Sequence, residues 1–303
     1  MKTEPEARRL DKWELFRMLA YVPHEAQRRV HESSAHTKVL ACGARWGKSR
    51  CAVMELLVFA LAPGPSRLAW IAAPRFEVVD KLLDLFVAQM SGGLAHRLVE
   101  VNRRPRRIVV RNLSGNEVRI EGRNTERVPS LLGESLDYML VDEAGRVRDE
   151  AWEGALSQRL VERDGRAFVC GTPRNEGSWF HRLFARGQGE DPTVESWTGP
   201  TVDNPAIDPA LVERERDRLS TAEFASEYLG QFVGPDGPLC LTCGGPHRGC
   251  RSSVILPLGE VLAHCDACGR PLGRDGQPLG VPTPRGLYVL TLTTDDVKPP
   301  EEG

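Results

Sequence analysis

Apolar positions along the first 232 residues fall into two kinds of run. Short, nearly continuous apolar stretches, KVLACGA (38–44), RLAWIAAP (67–74), DYMLVDEA (137–144) and RAFVCGTP (166–173), predict buried strands. Longer stretches repeat their apolar residues at helical spacing. These are LDKWELFRMLA (10–20), a short segment after Pro23 that carries Gln27, SRCAVMELLVFALA (49–62), FEVVDKLLDLFVAQM (76–90), EAWEGALSQRLVER (150–163), and stretches near 177–186, 208–219 and 221–230. The segment 49–62 is so apolar that most of its surface must be covered. A further strand is expected near 193–198, and RRIVVRNLSGNEVRIEG breaks at Ser114-Gly115-Asn116 like a hairpin. Strands alternating with helices predict an α/β fold with a mostly parallel sheet covered on both faces.

After Phe232 the texture changes to GPDGPLCLTCGGPHRGC, rich in Gly, Pro and Cys, which puts a boundary near residue 234. The expected organisation is an N-terminal helical segment (1–35), an α/β domain (36–233), a small cysteine module (234–275), and a C-terminal strand and tail (276–303). A length of 303 residues suits one large domain plus such a module. Five of the eight cysteines crowd into residues 240–268. Cys240 and Cys243, then 21 residues, then Cys265 and Cys268, form two C-x2-C pairs, each followed by glycine. That spacing is slightly longer than the common zinc-ribbon spacing and still points to a tetrahedral structural Zn2+ site. A segment this short needs such a metal to fold.

Charge narrows the partners. Forty basic against 42 acidic residues give a net charge of −2, so no global positive field draws the chain to nucleic acid. Local patches must do so if anything does. The run NRRPRRIVVR (102–111) is one such patch, and it reads equally as a hairpin edge protected by charge. No apolar run reaches the ~18 residues that span a bilayer, and the N-terminus lacks a signal-peptide core, so a cytoplasmic protein is expected.

The chemistry concentrates at strand ends. GARWGKSR (43–50) follows the first strand and opens a helix, the context of a phosphate-binding loop. Its spelling departs from G-x-x-x-x-G-K-[ST]: Cys42 stands where the first glycine belongs, and Gly43 comes one residue late. Gly47 permits close backbone approach, Lys48 suits the β- and γ-phosphates of ATP, and Ser49 offers an oxygen to Mg2+. Asp142 and Glu143 end the third strand, suited to metal binding and to activating a water. Thr172, in the turn after the next strand, is a candidate γ-phosphate sensor.

Taken in order, these stretches resemble the large terminase subunit of tailed phages, the ATPase that packages DNA. YVPHEAQRRVHES resembles the family's adenine-contacting segment, with Gln27 at the glutamine, and GARWGKSR resembles its phosphate-loop variant, with Arg45 and Trp46 before Gly47-Lys48-Ser49. IAAPRFEVVDKLLDLF, SLLGESLDYMLVDEAGRV, CGTPRNEGSWF, DNPAID and TAEFASEYLGQFV resemble the family's succeeding stretches, so the likeness covers about residues 20–233. It implies an additional-strand, conserved-glutamate P-loop fold. Gln27, Gly43, Arg45, Trp46, Gly47, Lys48, Ser49 and Asp142 would hold ATP and Mg2+, and Glu143, Lys48 and Thr172 would catalyse hydrolysis. It further implies translocation of double-stranded DNA into a procapsid in the host cytoplasm, by a homo-oligomeric ring on the portal protein with a small terminase subunit.

Two departures stand out. Leu132 occupies the place of an arginine that the family often uses toward a neighbouring subunit's ATP, so either Arg123, Arg127 or another basic residue replaces it or hydrolysis is slow. The residues after 232 do not read as the family's nuclease, so no nuclease activity is expected here; either a separate chain supplies it or the gene is truncated or rearranged. A second RecA-like domain, needed for a helicase, has no room. The alternative is a catalytically weakened P-loop protein serving as a zinc-dependent DNA- or protein-binding packaging subunit.

Overall fold

The computed structural model describes residues 11–234, together with the backbone of the short strands Gly237–Pro238, Ser252–Leu256, Ala263–His264, Pro271–Leu272 and Tyr288–Leu292. Cys240, Cys243, Cys265 and Cys268 lie outside the described residues, and so does the zinc expectation that rests on them.

Eight strands form one sheet: β1 (Thr37–Cys42), β2 (Arg67–Ala73), β3 (Leu98–Asn102), β4 (Arg107–Arg111), β5 (Glu117–Asn124), β6 (Tyr138–Val141), β7 (Arg166–Gly171) and β8 (Val194–Gly199). Their order across the sheet is β3-β4-β5-β2-β6-β7-β1-β8. From β5 to β8 every pairing is parallel, and only β3, β4 and β5 are joined antiparallel. The hairpin at Ser114-Gly115-Asn116 joins β4 to β5 as the sequence predicts.

Alternation along the buried strands sorts side chains between two cores. Leu40 and Cys42 of β1, Ile71 of β2 and Leu140 of β6 face α3 (Lys48–Leu61) and α4 (Phe76–Met90). Val39, Ala41, Trp70 and Val141 face the opposite layer, where α6 (Trp179–Gln188) contributes Trp179, Phe180 and Phe184. Both faces of the parallel part are therefore covered, which is why its strands read as continuous apolar runs. α1 (Lys12–Met18) and α2 (Glu25–Glu32) pack Leu15, Phe16 and Val30 into the core around α3. α7 (Pro209–Arg216) and α8 (Thr221–Leu229) meet through a separate small cluster of Val212, Phe224 and Leu229.

Two elements differ from the sequence expectation. The helix expected over 150–163 is a single α turn, α5 (Asp149–Ala151), then a π turn over Trp152–Leu156 and a 3-10 turn over Ser157–Leu160. Trp152, stacked on Trp179 at 4.5 Å, and Ala155 and Leu156 all turn toward the sheet, and Gly154 offers little resistance to the widened turn. Strand β3 was not expected, because it is an edge strand with Val99 and Val101 exposed, so no buried run marks it.

The arginines of 102–111 are largely spent on this scaffold. Arg106 makes a two-pronged contact to Asp80 of α4 (2.5 and 2.9 Å) and lies over the Phe76 ring; Arg103 pairs with Asp84, and Arg107 with Glu121 at 3.3 Å. Three of the five thus tie the hairpin to α4 and to itself, which favours the charged-edge reading over a DNA patch.

Candidate functional site

Parallel pairing puts the C-terminal ends of β1, β6 and β7 side by side, the place where open α/β sheets bind ligands. β7 lies between β1 and β6. The sequence candidates converge there. Lys48 and Ser49 are the first residues of α3, whose leading N–H groups have no partner within the helix. Ser49 Oγ donates to Asp142 Oδ2 at 2.7 Å, joining the β1 and β6 ends. Lys48 Nζ donates to the carbonyls of Cys42 (2.8 Å) and Gly43 (2.6 Å) and lies 3.5 Å from Thr172 Oγ1, bringing in the β7 end.

Asp142 is held on its other oxygen by the Glu143 N–H (2.8 Å) and by the Cys170 thiol (3.3 Å). Burial beside this carboxylate raises the Cys170 thiol well above its ordinary value, so it stays a neutral donor. Glu143 adopts a left-handed backbone (φ 54°), unusual for a side-chain-bearing residue, which swings its carboxyl out of the strand direction. Its oxygens lie 4.0 Å from Arg75 and 3.9 Å from Arg146, and Oε2 is buried without a hydrogen-bond partner.

The loop between β1 and α3 is braced from outside by residues to which the sequence assigned no site role. The Gly43 N–H donates to Gly199 O (2.9 Å), and the Ala44 N–H to Glu227 O (2.5 Å). Thr201 Oγ donates to Ala44 O (2.6 Å) and the Asn204 amide to Arg45 O (2.7 Å). At Gly43 an added Cβ would lie 2.7 Å from Tyr228 O and within 2.9 Å of Thr201, so only glycine fits. At Gly47 (φ 101°) it would lie 2.5 Å from Gln27 Nε2. Trp46 is buried; its indole donates to Asp203 (3.1 Å) and meets His24 edge-on at 4.7 Å. Burial raises the Asp203 carboxyl, against the pull of that hydrogen bond. Trp46 therefore braces the loop, whereas the Arg45 side chain is exposed. The bracing residues lie more than 150 positions further along the chain, and although DNPAID and TAEFASEYLGQFV resemble family stretches, nothing in their spelling points to this loop.

Gln27 sits beside the loop. Its amide donates to Gly47 O (3.2 Å) and accepts from the His24 N–H (3.1 Å) and the Tyr21 hydroxyl (3.2 Å). Leu132 is 53% exposed. Arg123 is engaged by Glu121 (2.5 Å) and Glu134 (3.1 Å) and lies over the Trp70 ring, while Arg127 is exposed. Among the described residues no cluster of three or more His, Cys, Asp or Glu could hold a metal, and no helix is long and apolar enough to cross a membrane.

The family profile described as "Terminase large subunit, T4likevirus-type, N-terminal" matches residues 39–242. Two curated relatives, each described as "Terminase, large subunit", align over 187 residues: that of Thermus virus P23-45 is 31% identical and that of Thermus phage G20c 29% identical. In both cases the alignment covers 57% of this chain and 38% of the relative, so the chain matches well under half of each relative's length. The solved ATPase domain of the Thermus phage P74-26 large terminase superposes with a TM-score of 0.65 at 27% identity, covering 75% of this chain and 99% of that one. The HK97 bacteriophage large terminase, at 14% identity and a TM-score of 0.59, shares the fold across 78% of this chain and 52% of its own.

Proposed function

The chain belongs to the phage large terminase family, and from that premise we propose that it binds and hydrolyses ATP at the β1–β6–β7 strand ends and uses the cycle to drive double-stranded DNA into a procapsid. The observation that carries the reading is the convergence of Lys48, Ser49, Asp142, Glu143 and Thr172, from three strand ends, around the N-terminus of α3. The position of β7 between β1 and β6 supports the additional-strand P-loop type.

Each residue has a task in this reading. The α3 N-terminus and Lys48 neutralise the phosphates, and Lys48 exchanges its two carbonyl contacts for phosphate oxygens. Ser49 and Asp142 fit a magnesium ion, because their oxygens already face each other at 2.7 Å and Asp142 is oriented by two further donors. When bound, magnesium offsets charge on the β- and γ-phosphates. Glu143 orients and deprotonates the attacking water, and Thr172 reports the γ-phosphate to β7. Gln27 reads adenine, and Gly43, Gly47, Arg45 and Trp46 shape the loop. Of the two candidates for a trans-acting arginine, Arg127 fits better, since Arg123 is committed to Glu121 and Glu134.

The proposed partners are duplex DNA, a portal protein, a small terminase subunit and further copies of the chain in a ring. Cys240, Cys243, Cys265 and Cys268 support a zinc-holding module by their spacing alone. The test is ATP turnover with and without duplex DNA, with zinc content measured on the same sample. DNA-stimulated turnover, abolished in Lys48→Ala and Glu143→Gln, and about one zinc per chain are expected. Intact turnover in Glu143→Gln would remove the mechanism. Zinc-dependent DNA binding without any turnover would favour the weakened-ATPase alternative, which Leu132 supports.

A further inference from the structure

Beside the phosphate loop lies a buried polar chain that hydrolysis itself does not use. Glu55, two turns along α3 from Lys48, receives Lys12 Nζ (2.9 Å) and His31 Nδ1 (2.6 Å) on one oxygen and Lys38 Nζ (2.8 Å) on the other. The opposite nitrogen of His31 lies 3.1 Å from the Tyr21 hydroxyl, and that hydroxyl lies 3.2 Å from Gln27 Oε1. Gln27 in turn donates to Gly47 O. All of His31, Lys38, Tyr21 and Gln27 are less than 5% exposed. A line of polar contacts thus runs from the middle of α3, through α2, to Gly47, the residue before α3. The single Tyr21 hydroxyl hydrogen goes to Gln27 Oε1 and the His31 Nδ1 hydrogen to Glu55, so the His31–Tyr21 contact is a hydrogen bond only when Nε2 is also protonated, and otherwise the two rings meet by packing.

The line fixes the Gln27 amide. Two backbone groups decide which way round it sits: the His24 N–H can only donate and Gly47 O can only accept, so Oε1 must face the first and Nε2 the second. Two points leave the amide plane free to rock. The Tyr21 hydroxyl, donating to Oε1, is the third point, and its ring is placed edge-on by Phe16 (5.0 Å) and by His31 (5.6 Å), whose own ring is held by Glu55 and Phe16 (4.7 Å). Nε2 has a second hydrogen that Gly47 does not use. With the amide held at three points, that hydrogen has one direction.

We propose that Tyr21 and His31 are positioning residues for base recognition, anchored by Glu55, which hold the Gln27 amide in the one orientation that selects adenine. This rests on Gln27 reading adenine. Because Glu55 and Lys48 share α3, the base-reading and phosphate-binding groups are fixed to one rigid element. A purely structural role for the cluster would change stability without changing which base is preferred; a positioning role changes the preference itself.

The experiment uses the full 303-residue chain with Mg2+ and a fluorescent N-methylanthraniloyl-ATP, displaced by ATP or by GTP. Tyr21→Phe and His31→Gln are compared with Gln27→Ala, and the melting temperature of each is recorded. Loss of one oriented hydrogen bond should lower the ATP-over-GTP preference roughly three- to tenfold in Tyr21→Phe, and in the same direction in His31→Gln. If Gln27→Ala loses the preference while folded Tyr21→Phe and His31→Gln keep it, the positioning role is overturned and the adenine reading stands. If Gln27→Ala itself keeps the preference, the adenine reading fails and the proposal with it. His31→Gln, which does not touch Gln27, carries the test should Tyr21→Phe not fold.

Discussion

One methyl group at position 43 tests the account of the loop. In Gly43→Ala the new Cβ would stand 2.7 Å from Tyr228 O, 2.8 Å from Thr201 Oγ1 and 2.9 Å from Thr201 N. Two of these are backbone atoms. The third is locked by its 2.6 Å bond to Ala44 O, so no side chain can swing aside. Overpacking of this kind costs about 1–3 kcal/mol, and the upper half of the range, about 2–3 kcal/mol, applies where nothing yields. If the loop stays put, the cost falls on folding; if the loop moves outward, it falls on ATP binding as a roughly 30- to 150-fold weaker Kd. Cys42→Gly, which restores the common spelling, is the counterpart. Cys42 is fully buried at the end of β1, and its removal should cost about 1–2 kcal/mol of stability and leave ATP affinity unchanged. Calorimetric ATP titration and thermal melting of both variants give the answer. A Gly43→Ala protein that melts and binds like the wild type would refute the bracing, as would a Cys42→Gly protein that binds ATP more tightly.

Three further outcomes are expected. Glu55→Gln leaves Lys12 and Lys38 uncompensated, and losing one partner of a buried charge pair costs about 3–5 kcal/mol, a fall in Tm of roughly 6–20 °C in a thermal melt. Burial, with Lys12 and Lys38 nearby, outweighs the Glu55 contact and lowers the His31 pKa, so between its folded value and the ordinary value of about 6.5 the unfolded chain holds the extra proton. Stability should therefore fall as pH drops below about 6.5, with a shallower slope in His31→Gln, measured by urea titration across pH. Ser49→Ala should weaken Mg-ATP binding while leaving metal-free ADP binding nearly unchanged, read by the same displacement assay with and without EDTA.

How much of this was legible in the sequence depended on the range of the interaction. β1, β2, β6 and β7 were legible because burial on both faces leaves an unbroken apolar run. Lys48 and Ser49 were legible as a motif because they open the helix after β1, and Asp142, Glu143 and Thr172 because they follow strand ends, places where position along the chain fixes position in space. The brace of Thr201, Asp203 and Asn204 was not, since its partners are at Ala44, Trp46 and Arg45 and only the return of β8 beside β1 brings them together. Trp46 was read as loop chemistry, but a large ring that ends up 1% exposed has a packing role no local pattern distinguishes. Arg75 and Arg146 were silent for the same reason: their approach to Glu143 follows from β2 lying next to β6 and from the left-handed turn at Glu143.

The outer brace also constrains how this loop can change over time or by design. Residues 43–46 share hydrogen bonds with Gly199, Thr201, Asp203, Asn204 and Glu227, so the three segments form one structural unit. A loop with other residues at 43–46 and a different backbone path would leave the carbonyls of Gly199 and Glu227, the Asn204 amide and the Asp203 carboxylate without their partners. A successful graft must bring residues 199–204 and the end of α8 with it. Among sequences that share this loop, changes at 43–46 should accompany changes at 199–204 and 227–228 even though more than 150 residues separate them.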